Sequence, residues 1–205
     1  MTKTLVIATF NAHKLLEIGA ILPSLPFSLK PLSAFPGAVP AVEDGLTLEE
    51  NAVKKALEAA RFTGLPALAD DTGLEVDALG GAPGVRSARY AGEGASYPEN
   101  NARLLAELSG VPPEKRGARF ACVTALATPA GLVKTSRGTL EGRIALAPRG
   151  ERGFGYDPLF EVGAGPRTLA EFSAEEKNAL SHRAAALKGL LPDLLRLALP
   201  GAARP

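Results

Sequence analysis

ARFACVTALATPAGLVKTSRGTLEGRIAL, residues 118–146, carries the pattern that decides the fold class. Ala118 to Thr128 and Leu132 to Leu146 read as two long strands, and Pro129-Ala130-Gly131 between them is turn chemistry. So short a turn joins the strands as a hairpin, because a parallel pair needs a crossover of a dozen or more residues. The start of the chain has a different rhythm. Leu5-Val6-Ile7-Ala8 is a continuous apolar run suited to a buried strand. Ala12 to Leu22 follows with helical spacing through Leu15, Leu16, Ile18 and Leu22, closed by Pro23 and Pro26. Phe27 to Leu32 reads as a second strand. Strand–helix alternation and hairpin pairing in one chain predict an α/β fold whose sheet is mixed. No repeat or linker divides the chain, so residues 1–205 read as one domain.

Between these segments the punctuation is clear. Thr47 to Arg61 is the best-marked helix, with Thr47 and Glu50 forming a capping box and Gly64 and Pro66 stopping it. Ala67-Leu68-Ala69 reads as a strand that ends at Asp70-Asp71-Thr72-Gly73, with an extended pattern resuming over Leu74 to Leu79. Gly80 to Gly94 is rich in glycine and reads as a surface loop, and Ser96 to Leu108 as a helix. Gly153 to Pro158 interrupts regular structure before a short strand over Leu159 to Val162. Ser173, with Glu176, opens the last helical region, which Pro192 bends or restarts. The tail from Pro200 to Pro205 reads as frayed.

Composition narrows the function classes. Of 205 residues, 46% are hydrophobic and 22% charged, the balance of a folded globular chain rather than a disordered one. The net charge of +1 supplies no global field for nucleic acid or anionic membrane, so neither is expected as a partner. One cysteine, Cys122, allows no internal disulfide and no cysteine-rich metal site, which suits a reducing cytoplasm. The opening MTKTLVIATF lacks the long apolar run of a secretory signal. No stretch reaches the roughly 18 apolar residues of a membrane span.

Four constellations can carry chemistry. Thr9-Phe10-Asn11-Ala12-His13-Lys14 lies where a strand meets a helix; free amides there attract anions and Lys14 adds a full charge. Read alone, it is either a phosphate site or an ordinary turn with a solvated lysine. Asp70-Asp71 sets two carboxylates side by side, which suits Mg²⁺ and its hard oxygen ligands, or else caps a turn. Alternation along an extended chain aims neighbouring side chains at opposite faces, so only one of the pair would ligate. Glu43-Asp44 is a further acidic pair, or a solvated turn. Phe154-Gly155-Tyr156-Asp157 offers aromatics for stacking a planar base, or core residues at a bend. Lys177 and His182 would lie ~140° apart on one continuous helix, so a break with Ser181 as a cap is expected. His182 and Arg183 would then sit in the first turn, where cations oppose the helix dipole and call for a compensating ligand.

Taken together and in order, ATFNAHK (8–14), EDGLTLEENAVKKA (43–56), ALADDTGLEVDALGGAPGVRSARYAG (67–92), GFGYDPLF (153–160) and EEKNALSHRAAAL (175–187) resemble the inosine triphosphate pyrophosphatase family. The resemblance implies an elongated mixed-sheet fold with two lobes around a central nucleotide-binding cleft, and a homodimer. It implies hydrolysis of ITP, dITP and XTP to the monophosphate and pyrophosphate with Mg²⁺. Carried over residue by residue, it assigns Asp71 as metal ligand and general base, with Glu43 as second ligand and Asp70 as support. Thr9, Phe10, Asn11, Ala12, His13 and Lys14 become the triphosphate loop, joined by Lys55 and Thr72. Phe154, Gly155, Tyr156 and Asp157 become the base pocket, with Lys177, His182 and Arg183 completing nucleotide binding. Donors of His182 or Arg183 would meet a purine 6-oxo group and oppose the amino group of adenine. Phe10 stands where the family usually has a small residue, so its ring points away or the loop shifts.

The mechanism expected is attack on the α-phosphorus by a water that Mg²⁺ activates, with Asp71 accepting or orienting the proton. Cys122, inside an apolar strand, reads as core rather than nucleophile. The alternatives are a pyrophosphatase of modified pyrimidine nucleotides and a non-catalytic nucleotide-binding module.

Overall fold

A computed structural model describes residues 2–22 and 25–199; the Pro23 stop and the tail from Pro200 lie outside them. The described residues form seven strands and five α-helices. The strands are β1 (Lys3–Ile7), β2 (Phe27–Pro31), β3 (Ala67–Val76), β4 (Pro83–Gly84), β5 (Gly117–Thr128), β6 (Gly131–Ile144) and β7 (Phe160–Val162). The helices are α1 (Ala12–Ile21), α2 (Leu48–Thr63), α3 (Tyr97–Glu107), α4 (Ala174–Leu180) and α5 (His182–Ala198). Sheet order is β2-β1-β3-β5-β6-β7, with β4 on β3. β1 runs parallel to β2 and β3, whereas β3–β4 and β6–β7 are antiparallel, so the mixed sheet expected from the hairpin is present.

The chain forms two compact units, residues 1–71, 122–138 and 183–205, and residues 72–121 and 139–182. In the first, Leu5, Ile7, Ile18, Leu68, Leu126, Leu187 and Leu190 build the core. In the second, Leu74, Leu104, Leu108, Phe120, Tyr156, Leu159 and Phe160 do so. α2 forms because Thr47 and Glu50 close the capping box and Gly64 ends it at φ 69°. Its buried stripe, Leu48, Asn51, Ala52, Lys55, Ala56, Ala59 and Ala60, recurs at helical spacing and is mostly alanine. Such small side chains let the helix lie close to its neighbours. Two polar residues ride on this stripe.

Three expectations need correction. β3 does not end at Ala69 but runs through both aspartates to Val76, since each carboxylate finds internal partners. The 80–94 segment is no simple surface loop: it holds β4 and a 3₁₀ turn, and Ser87 and Tyr90 are buried. Pro192 does not restart the helix: it lies inside α5, which continues past it to Ala198.

Candidate active site

Adjacent residues of β3 serve two separate ion networks, because alternation sends Asp70 and Asp71 opposite ways. On one side, Asp70 Oδ2 lies 3.0 Å from Lys14 Nζ and 3.1 Å from Arg183 Nη2. It also accepts from Arg183 Nε at 3.3 Å, with Cys122 Sγ at 3.9 Å. Arg183 pairs further with Glu17. Burial alone would raise the Asp70 carboxyl, but Lys14 and Arg183, with Lys55 behind them, outweigh it and hold it well below the usual carboxylate range.

On the other side, Asp71 Oδ1 and Glu43 Oε1 each lie 2.8 Å from Lys55 Nζ. Asn51 Nδ2 donates to Asp71 Oδ2 at 3.3 Å, while its Oδ1 accepts from Gly45 N at 2.8 Å. A Cβ at Gly45 would sit 2.7 Å from that Oδ1, so glycine is what lets the Glu43 loop close on α2. Burial raises the Asp71 carboxyl, against the pull of Lys55 and Lys14 and with help from Glu43. Burial lowers Lys55 less than Asp71 and Glu43 raise it, so it stays charged. The result is a deeply placed carboxylate, more basic than an exposed one, beside a partly exposed second carboxylate and a permanent cation.

The strand-to-helix turn is built by capping. Asn11 Oδ1 accepts from the amides of His13 (2.9 Å) and Lys14 (3.3 Å), and Thr9 Oγ1 accepts from Asn11 N at 3.1 Å. The amides expected to be free are therefore occupied here, and the cation of the turn is Lys14. Ala12 and His13 are exposed, and the Phe10 ring points outward, 43% exposed.

In the second unit, Asp157 Oδ2 accepts from Phe154 N at 2.8 Å and pairs with the buried Lys177. Gly153, at φ 75°, has no room for a side chain, since a Cβ would fall 2.1 Å from Asp157 Oδ2. Phe154 is half-buried, with Lys177 Nζ 4.7 Å from its ring centroid. Asn101 Nδ2 holds Gly155 O at 3.0 Å.

A family model described as the Ham1 family matches residues 5–193. The chain belongs to the Ham1 family. It is 58% identical over 93% of its length to a protein of Geobacter sulfurreducens named dITP/XTP pyrophosphatase, covering 96% of that relative. A protein of the same name from Syntrophobacter fumaroxidans is 57% identical over 89% of this chain and 78% of its own. A solved HAM1 protein from Coxiella burnetii superposes with a TM-score of 0.84 at 43% identity, covering 94% of this chain and 98% of that one.

The other residues assigned from family positions are placed as follows. Tyr156 is 5% exposed, lies in the core of the second unit, and donates from its hydroxyl to Ser87 O at 2.9 Å. Burial raises its hydroxyl above the ordinary phenol value. Arg183 is 1% exposed, and its guanidinium meets Asp70 and Glu17. The compensating ligand for its place in the first turn of α5 is internal. His182 is buried and stacks on Phe120, ring centroids 4.7 Å apart and planes at 18°. The break that this arrangement needs is present: α4 ends at Leu180 and Ser181 is extended. Thr72 is partly buried next to Asp71.

Sequence reasoning missed Asn51, Glu17 and Asn101. Helical spacing held the signal for two of them: Asn51 is one turn before Lys55 on α2, and Glu17 one turn after Lys14 on α1. Nothing local marks Asn101.

Proposed function

We propose that this chain hydrolyses non-standard purine nucleoside triphosphates (ITP, dITP and XTP) to the monophosphate and pyrophosphate. The observation that carries the reading is the convergence of Glu43 and Asp71 oxygens on one cation, at 2.8 Å each. The names of relatives up to 58% identical supply the substrate class.

The donor set fits Mg²⁺. Lys55 Nζ shows that the two carboxylates are directed at a common positive charge. No group of three or more His, Cys, Asp or Glu suited to a metal occurs among the described residues. Such a cation would need only one or two protein carboxylates where substrate phosphates are also present. Glu43 and Asp71 would hold it, and when bound it screens phosphate charge and lowers the pKa of a coordinated water. Asp71, made more basic by burial, takes or orients the proton of the attacking water. Lys55 and Lys14 offset the charge of the triphosphate and of the departing pyrophosphate. Asp70 keeps Lys14 in place. Thr9, Asn11 and Thr72 bind phosphate oxygens, and Phe154, with Asp157 and Lys177 behind it, stacks the base.

The test is a nucleoside triphosphate panel with separate detection of phosphate and pyrophosphate. ITP and XTP are expected to yield pyrophosphate at rates well above TTP and UTP. Orthophosphate as the main product would refute α–β cleavage, and a preference for TTP or UTP would refute the purine reading. Asp71→Asn is expected to lower turnover by about 10²–10⁴-fold. The reading extends to a cytoplasmic homodimer, on the strength of the family resemblance. A light-scattering mass near the chain's 21.2 kDa would overturn the dimer.

A further inference from the structure

The Phe154–Asp157 segment has no regular hydrogen-bonding ladder, so something must hold its shape. One end is tied by Asp157 to Phe154 N and Lys177. The other tie comes from α3. Asn101 Nδ2 donates to the Gly155 carbonyl at 3.0 Å, and the Tyr97 ring lies 6.0 Å from that of Phe154, tilted by 43°. That separation is within the range of favourable aromatic pairs. Tyr97 and Asn101 are four residues apart and share a face of the helix.

Asn101 also carries a cost. Its Oδ1 is buried and has no hydrogen-bond partner among the described residues. A buried acceptor left unmet costs about 1–3 kcal/mol, which offsets what the Nδ2 hydrogen bond contributes to folding. What the side chain does supply is a donor to the loop that carries Phe154.

We infer that Asn101 and Tyr97 are positioning residues for the base: α3 holds Gly155 and Phe154 in the geometry that receives a planar purine. The inference rests on the reading that Phe154 stacks the base. It separates base affinity from phosphate chemistry, because the contacts of Asn101 and Tyr97 are with the loop that carries Phe154.

Steady-state kinetics on ITP decides it, with pyrophosphate as readout and the thermal midpoint of each variant measured alongside. Asn101→Asp keeps the shape but replaces the donor with a charge facing a carbonyl. It is expected to raise KM about tenfold, equal to ~1.4 kcal/mol of lost binding, with kcat within about twofold. Asn101→Ala, which also removes the unmet acceptor, is expected to show the same split without loss of thermal midpoint. Tyr97→Phe should keep the wild-type KM, and Tyr97→Ala should raise it several-fold. An unchanged KM in both Asn101 variants, or a fall in kcat at constant KM, overturns the inference. A wild-type protein that releases no pyrophosphate from ITP sinks the functional reading instead.

Discussion

Asp70 and Asp71 are chemically identical neighbours with opposite electrostatic fates. Asp70 is sealed among Lys14, Arg183 and Lys55, whereas Asp71 is raised by burial and shares one lysine with Glu43. Asp70→Asn would leave the buried Arg183 and the partly buried Lys14 facing a neutral amide, with Glu17 still paired to Arg183. The expected cost at neutral pH is about 3 kcal/mol, read by urea unfolding. Because the folded Asp70 carboxyl lies below its ordinary 3.8, its stabilisation is complete above that value. It is lost as pH falls through and beneath 3.8, where the unfolded chain takes the proton first. Wild-type stability should therefore drop more steeply on acidification than that of Asp70→Asn; parallel curves would refute this. Asp71 behaves in the other direction. Its raised carboxyl takes a proton at higher pH than an exposed one, and a protonated ligand binds metal poorly. The Mg²⁺ concentration for half-maximal pyrophosphate release should rise on acidification, and at a higher pH than an exposed carboxylate would produce. A requirement unchanged by pH would refute that role.

α2 is the element that makes the site. Its caps place Asn51 and Lys55 on the buried stripe, facing β3, while the alanines between them keep the approach close. Thr47→Ala removes the side chain that accepts from Glu50 N and is expected to cost about 1 kcal/mol, read as a lower urea midpoint. Ala56→Leu adds volume where Ala56 is fully buried, next to Lys55. An overpacking cost of about 1–3 kcal/mol is expected, with turnover falling further than the stability loss alone would produce. Full activity in a destabilised Ala56→Leu protein would show that the Lys55 position tolerates a shift of α2. β3 teaches the complementary lesson. Paired aspartates read as a strand end because carboxylates rarely enter a buried strand unpaired. Four cationic or amide partners, Lys14, Arg183, Lys55 and Asn51, make the continuation possible.

At the scale of the molecule, β3, β5 and β6 each have residues in both compact units. Strands whose residues are shared in this way favour loss of structure in one step. All three tyrosines, Tyr90, Tyr97 and Tyr156, belong to the second unit, and the chain has no tryptophan. Phe62→Trp, at a site 53% exposed, would report on the first. Coincident urea midpoints for tyrosine and tryptophan fluorescence are expected, and separated ones would overturn single-step unfolding. Tyr90 adds an alkaline limb. Burial, with Glu107 accepting from its hydroxyl, pushes it up to about 12, so stability should fall as pH rises from 10 towards that value. No helix among the described residues is long and apolar enough to cross a membrane.

The elements were legible because their signals act within a turn or a strand. Capping boxes at Thr47, Ser96 and Ser173, the Gly64 stop and the Pro129-Ala130 turn depend on residues a few positions apart. The sequence by itself determined those boundaries, the mixed sheet and the stock of acids, lysines and aromatics at the site. Only tertiary structure decided which carboxylate met which cation. Arg183 reaches Asp70 across 113 positions of chain, Lys177 reaches Asp157 across 20, and the Tyr156 hydroxyl reaches Ser87 across 69. Burial and charge pairing are properties of such long-range neighbours, and no local pattern encodes them. Arg183, assigned to nucleotide binding by its place in a motif, is in the folded chain also a buried counter-ion of Asp70.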